Sequence, residues 1–160
     1  MTEWHTIEPV FDERSKILIL GSFPSPKSRE TGFYYGHPKN RVWYTLSSVL
    51  GIPCPVTIDE KRALLSSRGI AVWDVIASCD IVGAGDSTIK NAVPNDFDQV
   101  FSVADIRQVF TTGKTATALY KKFTGNDSVC LPSPSPANCA VSQEKLTEEY
   151  RVILPYLEEK

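Results

Sequence analysis

The stretch "GSFPSPKS" (Gly21 to Ser28) and the stretch "LPSPSPAN" (Leu131 to Asn138) each pack serines between prolines. Ser22, Ser25, Ser28, Ser133 and Ser135 supply hydroxyls which, with the backbone N–H groups of such stiff loops, suit phosphate oxygens. Phe23 within the first stretch and Phe33, Tyr34 and Tyr35 just after it have ring faces that could stack on a base. Each feature also has an ordinary structural use, because aromatics fill cores and Ser-Pro steps make turns. The first loop, however, takes about twenty residues before "NRVWYTLSSVL" resumes a helical rhythm, against roughly two to six for a plain strand-to-helix connection. A loop of that length in a compact chain carries function.

Other chemistries are poorly served. "TTGKT" contains Gly-Lys-Thr, but Gln108 stands where a phosphate loop needs its first glycine. No G-x-S-x-G elbow presents a serine nucleophile. His37 has no partner at ligand spacing and sits in a "GHP" turn, which favours a structural role, and Cys54, Cys79, Cys130 and Cys139 form no CxxC pair. The cysteines read as reduced, half-buried thiols. Neither a metal nor another cofactor is expected.

The chain has 160 residues, 42% hydrophobic and 22% charged, enough for one globular domain over residues 1–160. It lacks a membrane-length apolar run and a secretory leader pattern, so a cytoplasmic, monomeric protein is expected. The net charge of −2 and the pI near 5.7 conceal an uneven distribution. Between Arg14 and Tyr44, Arg14, Lys16, Lys27, Arg29, Lys39 and Arg41 stand against Glu30 alone, while between Asp74 and Asp98, Asp74, Asp80, Asp86, Asp96 and Asp98 stand against Lys90 alone. An acidic protein can therefore still present a basic face to a polyanion.

The elements that must position these loops follow from periodicity. "KILIL" (Lys16 to Leu20) reads as a strand buried on both faces. "NRVWYTLSSVLG" places Val42, Trp43, Leu46, Val49 and Leu50 on one helical stripe, with Asn40 at the expected N-cap and Gly51 just past the end. "TIDEKRALLSSRG" opens on the capping box Thr57–Glu60, and "IAVWDV" is a second strand. A polar loop containing Gly83, Gly85 and Asp86 follows, then a short helix near Phe97 to Val103. "IRQVFTT" is a third strand, "KTATALYKKF" a helix, and "SVCLP" a fourth strand. The closing helix, "SQEKLTEEYRVILPYLEE", should be kinked by Pro155. The alternation predicts a three-layer α/β/α sandwich around a mainly parallel four-stranded sheet. Ligands of such sheets bind beyond the carboxyl ends of the strands, where both Ser-Pro loops start.

In that setting three motifs in order, "GSFPS", "YYGHPKNRVW" and "LPSPSPAN", resemble those of the uracil-DNA glycosylase superfamily, with the nearest likeness to its hypoxanthine-DNA (deoxyinosine) glycosylase branch. The likeness covers essentially the whole chain. It implies an enzyme that flips a deaminated base out of duplex DNA and hydrolyses its N-glycosidic bond. Hypoxanthine would be its first substrate, with uracil or xanthine behind it. A binding module of the same fold, without catalysis, is the alternative.

The resemblance also implies roles. Asn40 would position the attacking water, since an amide orients water without being a strong base. Ser22, Phe23 and Pro24 would floor the pocket with Phe23 on the base, while Tyr35, His37 and Thr112 complete it. Ser133, Pro134, Ser135, Pro136 and Asn138 would press into the minor groove. Ser25, Lys27, Arg29 and Arg41 would contact the DNA backbone. Two positions depart from relatives: Leu131 stands where some uracil-specific members carry His, and Thr112 where an Asn often reads the base edge.

Overall fold

The computed structural model describes residues 2–83 and 85–158. Four parallel strands form the main sheet: β2 (Ile17–Gly21), β3 (Ile70–Asp74), β6 (Gln108–Thr112) and β7 (Val129–Leu131), in the order β3-β2-β6-β7. Every residue of β2 and β3 is buried, as strands covered on both faces must be. Registered pairs run from Ile17–Ile70 to Gly21–Asp74 on one side of β2 and from Ile17–Gln108 to Leu20–Thr111 on the other.

The chain moves one way along the sheet from β2 to β3 and the other way from β6 to β7. Right-handed crossovers then put the intervening helices on opposite faces. The first crossover carries α1 (Pro26–Thr31), α2 (Val42–Leu50) and α3 (Ile58–Arg68), and the second carries α5 (Lys114–Thr124). The boundary between the two directions, at the carboxyl ends of β2 and β6, is a crevice by topology alone.

The helix ends follow local chemistry. Thr57 and Glu60 form the reciprocal capping box, and Gly69 ends α3 in the left-handed conformation. Arg41, rather than Asn40, holds the cap position of α2, because its carbonyl takes the first helical bond, from the Thr45 amide at 2.9 Å. Asn40 acts one residue earlier. The expected closing helix is broken: α6 (Gln143–Tyr150) passes through a 3-10 turn at Arg151–Ile153 into α7 (Leu154–Leu157), with Pro155 in its first turn.

One region departs from the expected loop after β3. Strands β1 (Thr2–Trp4), β4 (Ile76–Asp80) and β5 (Lys90–Pro94) form a second, antiparallel sheet in the order β1-β4-β5. Its sequences, "TEW", "IASCD" and "KNAVP", are poor in β-branched residues, and β5 includes Asn91 at φ 53° and ends on Pro94. Pairing across the sheet, not propensity, makes these strands. A four-residue helix, α4 (Asp98–Phe101), leads from there towards β6.

Candidate functional site

The crevice beyond β2 and β6 is a cleft of about 970 Å³. The loops after β2, β6 and β7 line it, as does the turn between β4 and β5. Gly21 ends β2 because a Cβ there would lie 2.5 Å from Asp74 Oδ1. Ser22 and Phe23 follow, both buried, and Ser25 closes the loop by accepting the Ser28 amide at 3.2 Å while Pro26 starts α1.

Phe23 lines the cleft, but its ring is already engaged. The Arg29 guanidinium carbon lies 5.4 Å from its centroid and the His5 ring meets its edge at 6.2 Å. Phe33 and Tyr34 turn inward: Phe33 stacks on Trp43 at 5.9 Å, and the Tyr34 hydroxyl donates to the carbonyls of Ile7 and Glu8 at 3.2 and 3.0 Å. Their rings serve the core. Burial pushes the Tyr34 and Tyr35 phenols well above the usual range, helped by the Asp74 charge, so both keep their protons.

Tyr35 is the strained residue of the site. It holds φ 52°, a left-handed conformation that bulky side chains seldom adopt, at a cost of about 1–3 kcal/mol. Its ring meets the edge of Trp43 at 6.3 Å, and its hydroxyl comes within 3.5 Å of Thr112 Oγ1. That contact joins the long loop to the end of β6. Thr112 is buried, its hydroxyl 3.4 Å from the Leu20 carbonyl.

The segment from His37 to Asn40 is a turn in which the Asn40 amide bonds the His37 carbonyl at 2.9 Å. The exposed His37 accepts the Lys39 amide on Nδ1 at 3.1 Å, which shapes the turn. Asn40 Oδ1 accepts the Val42 N–H at 2.9 Å, so its amide orientation is decided and Nδ2 has no protein partner among the described residues. Asn40 is half-buried and lines the cleft.

The cations sort into two groups. Lys27 is partly exposed and, among the described residues, pairs only with Glu30, at 3.5 Å. Arg29 is tied to Glu3 at 2.9 Å, its side chain 19% exposed. Arg41 donates to the carbonyls of Val141 and Asn138 at 2.6 and 2.9 Å, and its amide bonds the Pro134 carbonyl at 3.0 Å. The Ser133–Asn138 loop is thereby clamped to the residue next to Asn40. Within that loop Ser133 accepts the Ser135 amide, Ser135 accepts the Ala137 amide, and Asn138 Nδ2 donates to the Ser133 carbonyl. Pro134 is buried beneath, whereas Pro136 and Ala137 stand exposed at the tip. Leu131 is buried in β7 and offers no donor to the cleft.

Three carboxylates, those of Asp74, Asp86 and Glu149, complete the lining, and none of them belongs to a motif that the sequence displays. Asp74 ends β3 with its side chain 6% exposed, one oxygen bonded to His5 Nε2 at 2.9 Å. Asp86 accepts the Ser22 hydroxyl at 2.8 Å; partial burial raises its pKa, the Ser22 bond opposes this, and Asp74 adds to the rise. "Strand-end Asp beside Gly" is the only sequence signal for Asp74, and it is weak without the pairing of Gly21 with Asp74.

Residues 8–158 match the model of the uracil DNA glycosylase superfamily. The chain is 32% identical over 143 residues to a hypoxanthine DNA glycosylase of Methanosarcina acetivorans, covering 87% of this chain and 90% of that one. A hypoxanthine DNA glycosylase of Methanosarcina barkeri is 34% identical over 108 residues, 66% of this chain and 68% of that one. The solution NMR structure of a uracil DNA glycosylase candidate from Methanosarcina acetivorans superposes with a TM-score of 0.83 at 29% identity, over 99% of this chain and 100% of that one.

Proposed function

This chain belongs to the uracil DNA glycosylase superfamily, and we propose that it removes deaminated bases, hypoxanthine first, by hydrolysing the N-glycosidic bond of a flipped nucleotide. Uracil and xanthine are secondary substrates. The observation that carries this reading is the orientation of Asn40. Its oxygen is held by the Val42 amide, so its NH₂ group is left to hold a water at the cleft wall.

The chemistry asks little of a base. As the bond from C1′ to the base nitrogen lengthens, the sugar gains oxocarbenium character and the electron pair leaves with the base. Water adds to C1′ and loses a proton to solvent, and the departing base anion takes one up. A positioned water and a shielded pocket then supply the acceleration, on the order of 10²–10⁴ for the positioning group alone. The product is an abasic site and a free base, with no covalent enzyme intermediate.

Extrusion of the base costs a few kcal/mol and is cheapest at a mispair. The exposed Pro136–Ala137 tip is suited to hold the resulting gap open from the minor groove. The test is single-turnover incubation with duplexes carrying hypoxanthine, uracil, xanthine or no lesion, followed by alkaline cleavage. Release of hypoxanthine faster than the others is the expected result. Tight lesion binding with no strand cleavage after alkali would make the protein a binding module instead.

A further inference from the structure

Strand β1 belongs to the antiparallel sheet, yet its inward face reaches the wall of the cleft. Glu3 and His5, two residues apart, lie on that face, while Trp4 between them is exposed. Strand β4 sets their position: Glu3 stands opposite Cys79, and the His5 amide bonds the Ala77 carbonyl at 2.8 Å. Both residues brace one ring. His5 meets Phe23 edge-on, with centroids 6.2 Å apart, and is itself fixed by the 2.9 Å bond between Nε2 and Asp74 Oδ2. Glu3 acts through α1: its Oε2 accepts from Arg29 Nη1 at 2.9 Å, and the Arg29 guanidinium carbon lies 5.4 Å from the Phe23 centroid.

This arrangement takes Arg29 away from DNA. Its side chain is 19% exposed, against 41% for Lys27 on the same short helix. Its Nε is buried and has no partner among the described residues. A cation already neutralised by a carboxylate has little charge left with which to displace counterions from a phosphate. What it can do is hold a ring, since a guanidinium stacks on an aromatic face and forks onto a carboxylate at the same time. Phe23 needs such a hold. It leads the long loop and lines the cleft, and a loop side chain keeps the precision chemistry requires only when its neighbours lock it.

We infer that Arg29 is a positioning residue for base excision: braced by Glu3, it presses on Phe23 and fixes the wall against which the flipped nucleotide rests. Its charge serves the site and not the DNA backbone, which reverses the expectation from its place in the sequence. The effect falls on rate more than on binding. A wall displaced by about 1 Å turns C1′ away from the water at Asn40, an error that costs on the order of 10² in rate. Lysine keeps the charge but has no planar fork to engage the ring and Glu3 together.

The inference rests on the glycosylase reading above, and the experiment tells their failures apart. Single-turnover excision of hypoxanthine is followed for wild type, Arg29→Ala, Arg29→Lys and Glu3→Gln, with the maximal rate and the half-saturating enzyme concentration measured separately. Both Arg29 variants should lower the maximal rate by about 10- to 100-fold and change half-saturation by less than about three-fold. Glu3→Gln is a mild change at a side chain that is 39% exposed, and should slow the reaction by about three- to ten-fold. Arg29→Ala should leave the dependence of log K on log salt as in wild type. In a Phe23→Leu background it should cost less than about two-fold more, because the ring through which it acts is gone. Rate restored in Arg29→Lys, a loss confined to half-saturation, or a salt slope flattened by about one unit in Arg29→Ala would put the charge on a phosphate. Losses that multiply across Phe23→Leu and Arg29→Ala would equally overturn the inference, and each of these outcomes leaves the glycosylase reading intact. No release of hypoxanthine by the wild type would overturn both.

Discussion

Asn40 and Val42 are joined by a 2.9 Å hydrogen bond from the Val42 amide to Asn40 Oδ1, at the mouth of α2. The same side chain therefore starts a helix and faces the cleft, and the two duties can be separated. Serine can replace the local bond through its own hydroxyl but has no amide to reach a water. Asn40→Ala should lose about 1 kcal/mol of stability, a shift of roughly 2–4 °C in Tm for a chain of this size, and slow excision by at least about 10². Asn40→Ser should recover most of the Tm and none of the rate. Rates that track Tm across the two variants would reduce Asn40 to its structural duty.

Arg41 makes three hydrogen bonds to carbonyls of the protein, those of Pro134 and Asn138 in the Ser-Pro loop and that of Val141 just after it. Lysine cannot reproduce a planar fork over two carbonyls. Arg41→Lys should weaken binding to lesion duplex several-fold while leaving the dependence of log K on log salt unchanged. Lys27→Ala, which removes a partly exposed cation, should instead flatten that slope by about one unit at most. Titrations at several salt concentrations distinguish the two. A flattened slope for Arg41→Lys would place its charge on a phosphate.

Much of this site is legible in the chain because its signals are local. Buried strands such as "ILILG" announce themselves by composition, and the capping box at Thr57 and Glu60 by spacing. The turn from His37 to Asn40 is written in its own residues. What is not local was missed. Asp74 matters because β3 lies beside β2 and Gly21 has no side chain, a relationship between residues far apart in the chain. The antiparallel sheet likewise exists through pairing of weak strands. Arg29 and Arg41 look alike as surface cations until Glu3 and the Val141 carbonyl are found beside them.

Asp86 lies against Ser22 with its pKa raised, chiefly by burial. A carboxyl whose folded-state pKa exceeds its unfolded value binds protons more tightly when folded, so stability falls as pH rises from the unfolded value, about 4, through the folded one. Asp86→Asn removes that charge and keeps an acceptor for the Ser22 hydroxyl. Its Tm should match or exceed that of wild type at pH 7, with the advantage gone below about pH 4. Thermal melts across pH 3–8 check this. A variant less stable at pH 7 than at pH 4, relative to wild type, would show that the ionised carboxylate is a net stabiliser.

Thr112 is buried between the Leu20 carbonyl and the Tyr35 hydroxyl, at the end of β6 where the cleft begins. It has one hydroxyl, and part of that is spent on the protein. An Asn in its place would carry a donor and an acceptor on one plane, in a space already lined by Asp74 Oδ1 across Gly21. More rigid polar groups leave more partners unpaired when the wrong base enters, which is how a pocket discriminates. Wild type should therefore act broadly over hypoxanthine, xanthine and uracil, and Thr112→Asn should sharpen the preference for one of them by about 1–3 kcal/mol, at some cost in stability from the larger buried side chain. Single-turnover rates on the three matched duplexes, wild type against variant, give the answer directly. Ratios unchanged by the substitution would remove Thr112 from the base edge and leave its reading to other groups of the cleft, such as the backbone around Phe23.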